Sequence, residues 1–593
     1  METPLAFYTN NCQQLAESIE AFQKKITWVS FFRLFSFVLF LVAGYQWIKT
    51  HETILLLVTL VILAAFFVLV RVAFRLKDQK ALLEKLLYIN NNEISILQYQ
   101  PNKFSDARHF ASNDDFSSDL DVFGPASLYH LLNRTTTYHG TAALASLLQK
   151  PLLVKKNIEE QQQAVLALSR QKELRQLLTA HGLLHEEKEG NLYDILSWLK
   201  MPALLHHLTW VKFVRLFIPL YNVAAIVYYL VTDVYGPMVL GVILSWWIIG
   251  FFAKRLNRQH SLLGKKQSIL EQYAAILTHF SKVETGNAVL LQQQRNLAKA
   301  AHQTIKQLST LASWFDQRLN LLVNVFLNSF FLYDIQCLWA LENWKAANKD
   351  KFEEWIHCVG TIETLNSLAT FAYNHPEFIY PAVSENELII STTQLAHPLI
   401  PSNERVANDF TIGKQEQLAL VTGSNMSGKT TFLRALGTNL ILAQCGAPVC
   451  AASFTFSPMT IRTSIRVNDS LQEHTSYFMA ELKRLQQIIK HLQTTDAFTL
   501  VLIDEILRGT NSEDKTHGSE QFIRKLLQYR CLTLFATHDL ALSRLEAELP
   551  GKLSNYCFES VIRNGELLFD YTLQRGVAQN KNASFLMQKM EII

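Results

Sequence analysis

The sequence lacks any cysteine pattern that would define a metal site or a disulfide framework. Its seven cysteines (Cys12, Cys337, Cys358, Cys445, Cys450, Cys531, Cys557) form no Cys-x-x-Cys pair and no cysteine–histidine ligand spacing. They read as reduced, mostly buried thiols of a cytoplasmic protein. An excess of one charge is also missing: 55 Lys and Arg against 51 Asp and Glu leave +4, which carries no general affinity for polyanions. No basic, aromatic-rich patch stands out to suggest nucleic acid. The first 25 residues lack the charged start, short apolar run and small-residue site of a cleavable signal. Short-period repeats and low-complexity tracts are absent. Glycine and proline are few between Lys254 and Ala347, where helical apolar spacing predicts long helices.

What the chain has is apolar length. It is 49% hydrophobic with a mean hydropathy of +0.09, and at 593 residues it has room for two to four domains. Residues 28–48 are nearly all apolar apart from Arg33, and 53–70 carry no charge. A second pair, 216–231 and 234–253, contains Pro219 and Asn222 and turns near Asp233. Runs of this length approach the roughly 30 Å core of a bilayer when helical; the alternative is a buried helical hairpin. Lys24, Lys25, Arg71, Arg75, Lys77 and Lys80 flank the first pair, against Lys49 in its loop. Lys212, Arg215, Lys254, Arg255 and Arg258 flank the second, whose loop has neither Lys nor Arg. This asymmetry predicts a multi-pass membrane protein with both termini and all large segments in the cytoplasm. A third apolar run, Leu319 to Leu341, carries Asn320, Asn324, Asn328 and Asp334. A mid-membrane Asp costs roughly 2.5–3.5 kcal/mol on insertion scales, so this run is expected to be one long buried helix with a polar seam.

The most informative stretch begins at Leu418. An apolar strand-like run meets Gly423-Ser-Asn-Met-Ser-Gly428-Lys429-Thr430-Thr431, and an amphipathic helix follows to about Ala443. Strand, Gly-x-x-x-x-Gly-Lys-Thr loop and helix together predict a nucleotide phosphate loop. Glycines allow backbone N–H groups to curl around phosphate, Lys429 reaches the β/γ-phosphates and Thr430 offers a hydroxyl to Mg²⁺. Downstream, Leu500-Val-Leu-Ile-Asp504-Glu505 puts one carboxylate beside Mg²⁺ and a second where water can be activated. His538 ends another apolar strand, Leu534-Phe-Ala-Thr-His538, and is a candidate γ-phosphate contact.

These motifs resemble the ATPase domain of the MutS family of DNA mismatch repair proteins. The resemblance rests on Gly423-Ser-Asn-Met-Ser-Gly-Lys-Thr, Ser476-Tyr-Phe-Met-Ala-Glu481, Asp504-Glu-Ile-Leu-Arg-Gly-Thr510 and Phe535-Ala-Thr-His538. A weaker likeness to the family's helical core and lever covers Asp119 to about Leu177 and Lys254 to Pro381. The implied fold is an α/β ABC-type P-loop ATPase domain at the C-terminus, preceded by an all-α lever and core region with two transmembrane hairpins. The implied division is 1–80 with the first hairpin, 81–211 as the first part of the core, 212–254 as the second hairpin, 255–380 as lever and core, and 381–593 as ATPase. Resemblance further implies ATP and Mg²⁺ as cofactors. Lys429, Glu505 and His538 would be catalytic, and Thr430 and Asp504 would hold the metal. Residues 423–431 with Asn408 and Arg405 would bind ATP. A homodimer would offer Ser476 in trans to the partner's nucleotide. Where the family carries an adenine-stacking Phe, this chain has Arg405. No mismatch-reading Phe-x-Glu segment is found, so DNA is a partner by resemblance only. A transporter-like motor and an ATP-sensing protein scaffold are rival readings.

Overall fold

Two hairpins of long helices and a C-terminal α/β region frame the computed structural model, which describes residues 2–110, 116–185, 187, 190–385, 387–424, 426–466, 477–507, 511–563 and 566–579. The first hairpin is α1 (Pro4–Thr50) against α2 (Thr53–Leu97), turned by His51 in the left-handed region at φ 52°. Both helices run well beyond the apolar stretches, and α2 passes unbroken through residue 80. Their polar ends lock onto the protein body. Tyr8 donates to Asn374 Oδ1 at 2.8 Å, and the buried Arg134–Glu93 ion pair also receives Asn374 Nδ2 at 2.7 Å.

The helical body comprises α3 (Leu128–Leu132), α4 (Tyr138–Gln149), α5 (Lys155–Ser169), α6 (Lys172–Leu183) and α7 (Asn191–Lys200). The second hairpin follows as α8 (Thr209–Thr232) and α9 (Gly236–Leu263), then α10 (Gln267–Phe280) and α11 (Val289–Asp316). Gly241 on α9 lets α8 come close: a Cβ there would sit 1.9 Å from Asn222 Oδ1. Among the described residues four helices, α1, α2, α8 and α9, are long and apolar enough to cross a membrane, or five spans if a bent pair counts as one.

That bent pair corrects the expectation for Leu319 to Leu341. Instead of one buried helix, α12 (Leu321–Phe331) and α13 (Tyr333–Asn374) meet at 83°. Leu332, at φ 51°, makes the break. The asparagines serve it: Asn320 caps α12 by accepting from Val323 N at 3.3 Å, and Asn328 Oδ1 accepts from Asp334 N, the start of α13, at 2.9 Å. A polar spacing read as a seam is instead a pair of caps.

The α/β region holds two sheets. One has order β1-β5-β2-β3, from β1 (Ala382–Val383), β2 (Ile389–Leu395), β3 (Asn408–Gly413) and β5 (Ser453–Phe456). The other has order β10-β9-β4-β8-β7-β6, from β4 (Leu418–Gly423), β6 (Thr460–Ser464), β7 (Thr499–Asp504), β8 (Cys531–Thr537), β9 (Leu553–Arg563) and β10 (Glu566–Arg575). All its pairs are parallel except β10 with β9. Every residue of β4, β7 and β8 is buried, as helices on both faces of a parallel sheet demand. Alternate side chains serve different cores. Leu418, Leu420, Val501, Ile503 and Phe535 pack with α15 (Tyr477–Thr494) and α16 (Ser512–Leu526). Ala419, Val421, Leu500, Leu502 and Leu534 join a core shared with the helical body and α14 (Lys429–Gln444). The apolar core therefore continues across residue 380.

Candidate functional site

The C-terminal ends of β4, β8 and β7, adjacent in the sheet, converge at the N-terminus of α14, the usual place for a ligand in an α/β sheet. A cleft of about 440 Å³ opens there. The loop from β4 to α14 needs glycine at both ends. Gly428 has φ 106°, and a Cβ on it would lie 3.1 Å from the Tyr571 ring. Gly423 has φ 152°, with the Phe558 carbonyl oxygen 2.9 Å from the same imagined atom. Met426 stands at the loop's exposed crest at φ 69°.

Lys429 folds back over the loop and donates to the carbonyls of Gly423 and Ser424, each at 2.8 Å. Thr430 donates its hydroxyl to Asp504, so a hydroxyl and a carboxylate already share one spot in the manner of a Mg²⁺ ligand pair. Glu505, at φ 56°, is held by Lys515 Nζ at 2.6 Å. His538 Nδ1 lies 2.8 Å from the Gly423 carbonyl, which assigns the proton to Nδ1 and leaves Nε2, 3.6 Å from Glu505, as an acceptor. Burial first, then the nearby Lys429 ammonium, hold His538 below the ordinary histidine pKa. Ser427 Oγ is buried with no hydrogen-bond partner among the described residues. That orphan atom, the curled loop, the lysine and the hydroxyl–carboxylate pair together fit a magnesium-bound polyphosphate.

The cleft thus gathers Ser424, Met426, Ser427, Gly428, Lys429, Thr430, Thr431, Asp504, Glu505, His538, Asn408 and Arg405. Asn425 and Ser476 lie outside the described residues. Asn408 and Arg405 are bonded to residues that were not predicted for the site. Asn408 donates to the Tyr571 carbonyl at 3.1 Å and accepts from Leu573 N at 2.6 Å, pinning the irregular middle of β10. Arg405 stacks over Phe378 at 5.2 Å and reaches Cys450 Sγ at 3.1 Å and Glu377 at 3.4 Å.

Sequence reasoning missed Tyr571, whose half-exposed ring lines the cleft above Gly428, because it lies far along the chain on β10 with no motif to mark it. It also missed Lys515. A third omission is Asp119-Leu-Asp121. Buried Asp119 accepts from Thr463 Oγ1 (2.7 Å), Ile465 N (3.0 Å), Arg466 N (2.9 Å) and Arg484 (3.1 Å). Asp121 holds Arg434 of α14 and Arg466, each at 2.7 Å. The helical body thereby grips both the helix behind the loop and the chain leading out of β6.

Fold and cleft define a mostly helical protein with a C-terminal α/β region built around a strand–loop–helix anion cradle. Comparison with known families makes the assignment specific. The family model of MutS domain V matches residues 419–590, and that of MutS domain III matches residues 110–501, well over half the chain. The chain belongs to the MutS family. It is 33% identical over 246 residues to MutS protein homolog 4 of Mus musculus, covering 39% of this chain and 25% of that protein. It is 34% identical over 241 residues to the DNA mismatch repair protein MutS of Clostridium botulinum strain Okra, with the same coverages. The chain spans about a quarter of the length of the curated relatives it matches.

Proposed function

We propose that this chain is a membrane-tethered ATPase that uses ATP binding and hydrolysis to rearrange its helical levers within a homodimer. The observation carrying this reading is the meeting of Lys429, Thr430, Asp504, Glu505 and His538 on one cleft from three separate strand ends. Lys429 would exchange its two carbonyl partners for phosphate oxygens. Thr430 and Asp504 would hold Mg²⁺, which when bound neutralises phosphate charge. Glu505, oriented by Lys515, is the acceptor for a proton from an attacking water, and neutral His538 offers Nε2 beside it. The exposed Tyr571 ring and Val406, with half-buried Ile400, along the cleft wall would bracket the base. Ser476 is assigned to the partner's nucleotide by the family-specific sequence element it begins.

The membrane tether is supported by the apolar faces of α1, α2, α8 and α9: the most apolar stretch of α2 is only 6% buried in the protein. The Lys/Arg bias supports an orientation with both termini and the α/β region in the cytoplasm. The names of the relatives support a role in DNA processing related to mismatch repair. A second reading, an ATP-driven membrane regulator or transporter-like motor that binds no DNA, is favoured by the same four helices. ATP turnover of the full chain, with and without duplex DNA at about 50 to 200 mM salt, separates them. Stimulation by DNA that weakens steeply with salt supports DNA handling. Turnover indifferent to DNA throughout the series selects the second reading.

A further inference from the structure

Helix α12 carries no charged residue, yet much of it is uncovered: Leu321 is 74%, Leu322 81% and Phe326 59% exposed. With Leu319 and Val325 these form an exposed apolar face, and α12 packs against α8 and α9, the hairpin that carries exposed Phe213, Leu216, Phe217 and Leu220. Its inner face is anchored to that hairpin by polar contacts. Asn222 Nδ2 donates to the carbonyls of Ser329 and Phe330, each at 3.1 Å, so α8 caps the C-terminal end of α12. Trp246 Nε1 donates to Ser329 Oγ at 2.9 Å.

These contacts fix a depth. Asn222 is seven residues past Arg215 and Trp246 is eight before Lys254, or about 10–12 Å along each helix from the charged edge of the hairpin. At the other end, Arg318 binds Asn257 at 2.9 Å and Asp334 at 3.2 Å, level with that charged edge. Across the return, Gln336 pairs with Arg215. Eleven residues of helix are about 16 Å long, half of a bilayer core of about 30 Å.

We propose that α12 is a re-entrant element that dips into the acyl region of one leaflet beside α8 and α9 and returns at Leu332 into α13. The inference rests on the membrane-tether reading above. Because α13 runs 42 residues to Asn374, close to Phe378 and Arg405 at the cleft, the dip ties lipid to the nucleotide site through one continuous helix. Lipid is the occupant favoured by the packing of α12 directly on the apolar helices α8 and α9 and by the Lys and Arg residues gathered where the hairpin meets the protein body.

The test uses nitroxide labels on the full chain in vesicles of phosphatidylcholine and phosphatidylglycerol. Leu322→Cys, Phe326→Cys, Val227→Cys and Lys351→Cys are each made in a Cys12→Ser background, the other native thiols being buried. Accessibility to oxygen relative to a water-soluble nickel chelate should be several-fold higher at 322 and 326 than at 351, and close to that at 227 on α8. Lipid-like values at 227 with water-like values at 322 and 326 overturn the dip and leave the tether standing. Water-like values at 227 sink both. Protection of 322 and 326 from both reagents means a protein surface, such as a second copy, covers α12, and also overturns the proposal.

Discussion

The six-stranded sheet and the two hairpins are built from similar apolar residues and treat them in opposite ways. Strands β4, β7 and β8 bury every side chain between helices. In the hairpins, helices of comparable apolarity keep most of their surface uncovered by protein; the most apolar stretch of α9, the best covered, is only 28% buried. Apolar content alone therefore does not report a core. The difference lies in what the chain supplies around each segment: flanking amphipathic helices cover the sheet, whereas the apolar stretches of the hairpins meet a partner helix and, in the second hairpin, α12, and leave the rest uncovered. Polar residues follow suit. At the sheet's edge they converge on a cleft, whereas Asn222 and Ser245 of the second hairpin bond each other, the backbone of α9 and the Ser329 carbonyl of α12.

The sharpest way to probe the sheet side is its chemistry. Glu505→Gln should leave ATP binding intact and lower turnover by about 10²–10⁴-fold, while Lys429→Ala should weaken nucleotide binding itself. Wild-type turnover in purified Glu505→Gln protein would remove the carboxylate from the role assigned here. Next in size is the joint between body and sheet. Asp119→Ala leaves Arg484, a hydroxyl and two backbone N–H groups without their acceptor, and breaking a buried charged network of this kind costs about 3–5 kcal/mol. A thermal unfolding midpoint unchanged from wild type would show that the joint contributes little.

A paired truncation then tests the comparison directly. Leu502→Ala, fully buried on β7, should destabilise the protein by about 2–5 kcal/mol. Leu220→Ala, 69% exposed on α8, should cost under about 0.5 kcal/mol in mild detergent. Equal losses would mean that the hairpin face is covered by protein in solution. The smallest effect is that of pH. Burial pushes His139, His181 and His397 down to about 4. The unfolded chain therefore takes up protons that the folded one refuses, and these groups remove stability as pH falls from about 6.5 towards 4. Buried Glu363, raised to about 7, works the other way and removes stability as pH rises through 4.5 to 7. These three histidines together outweigh Glu363 and predict a lower unfolding midpoint at pH 5.5 than at 7.5, flattened in a His139→Gln, His181→Gln, His397→Gln variant. A midpoint that rises on acidification would show that Glu363 dominates.

How much of this was legible depends on distance along the chain. Strand, loop and helix from Leu418 to Gln444 are contiguous, so their geometry follows from local rules about glycine, lysine and threonine. Asp504 with Glu505 and His538 were readable because each ends an apolar strand. Tyr571 and Lys515 were not, since only the pairing of β10 with β9 and the packing of α16 bring them to the cleft. The break at Leu332 was hidden for a related reason: asparagines at four-residue spacing suit a continuous polar face as well as two caps.

Local sequence alone determined the apolar segments, their charged flanks and the phosphate-binding residue types, because these depend on neighbours within a few turns or one strand. Tertiary structure alone decided that Asp119 and Asp121 grip the chain beyond β6 and the helix behind the loop. It also decided that Asn408 serves β10, and that α12 leaves its apolar face uncovered. Each of these outcomes joins residues remote in sequence, and a hydrogen bond or a buried face has no one-chain signature until both partners are placed.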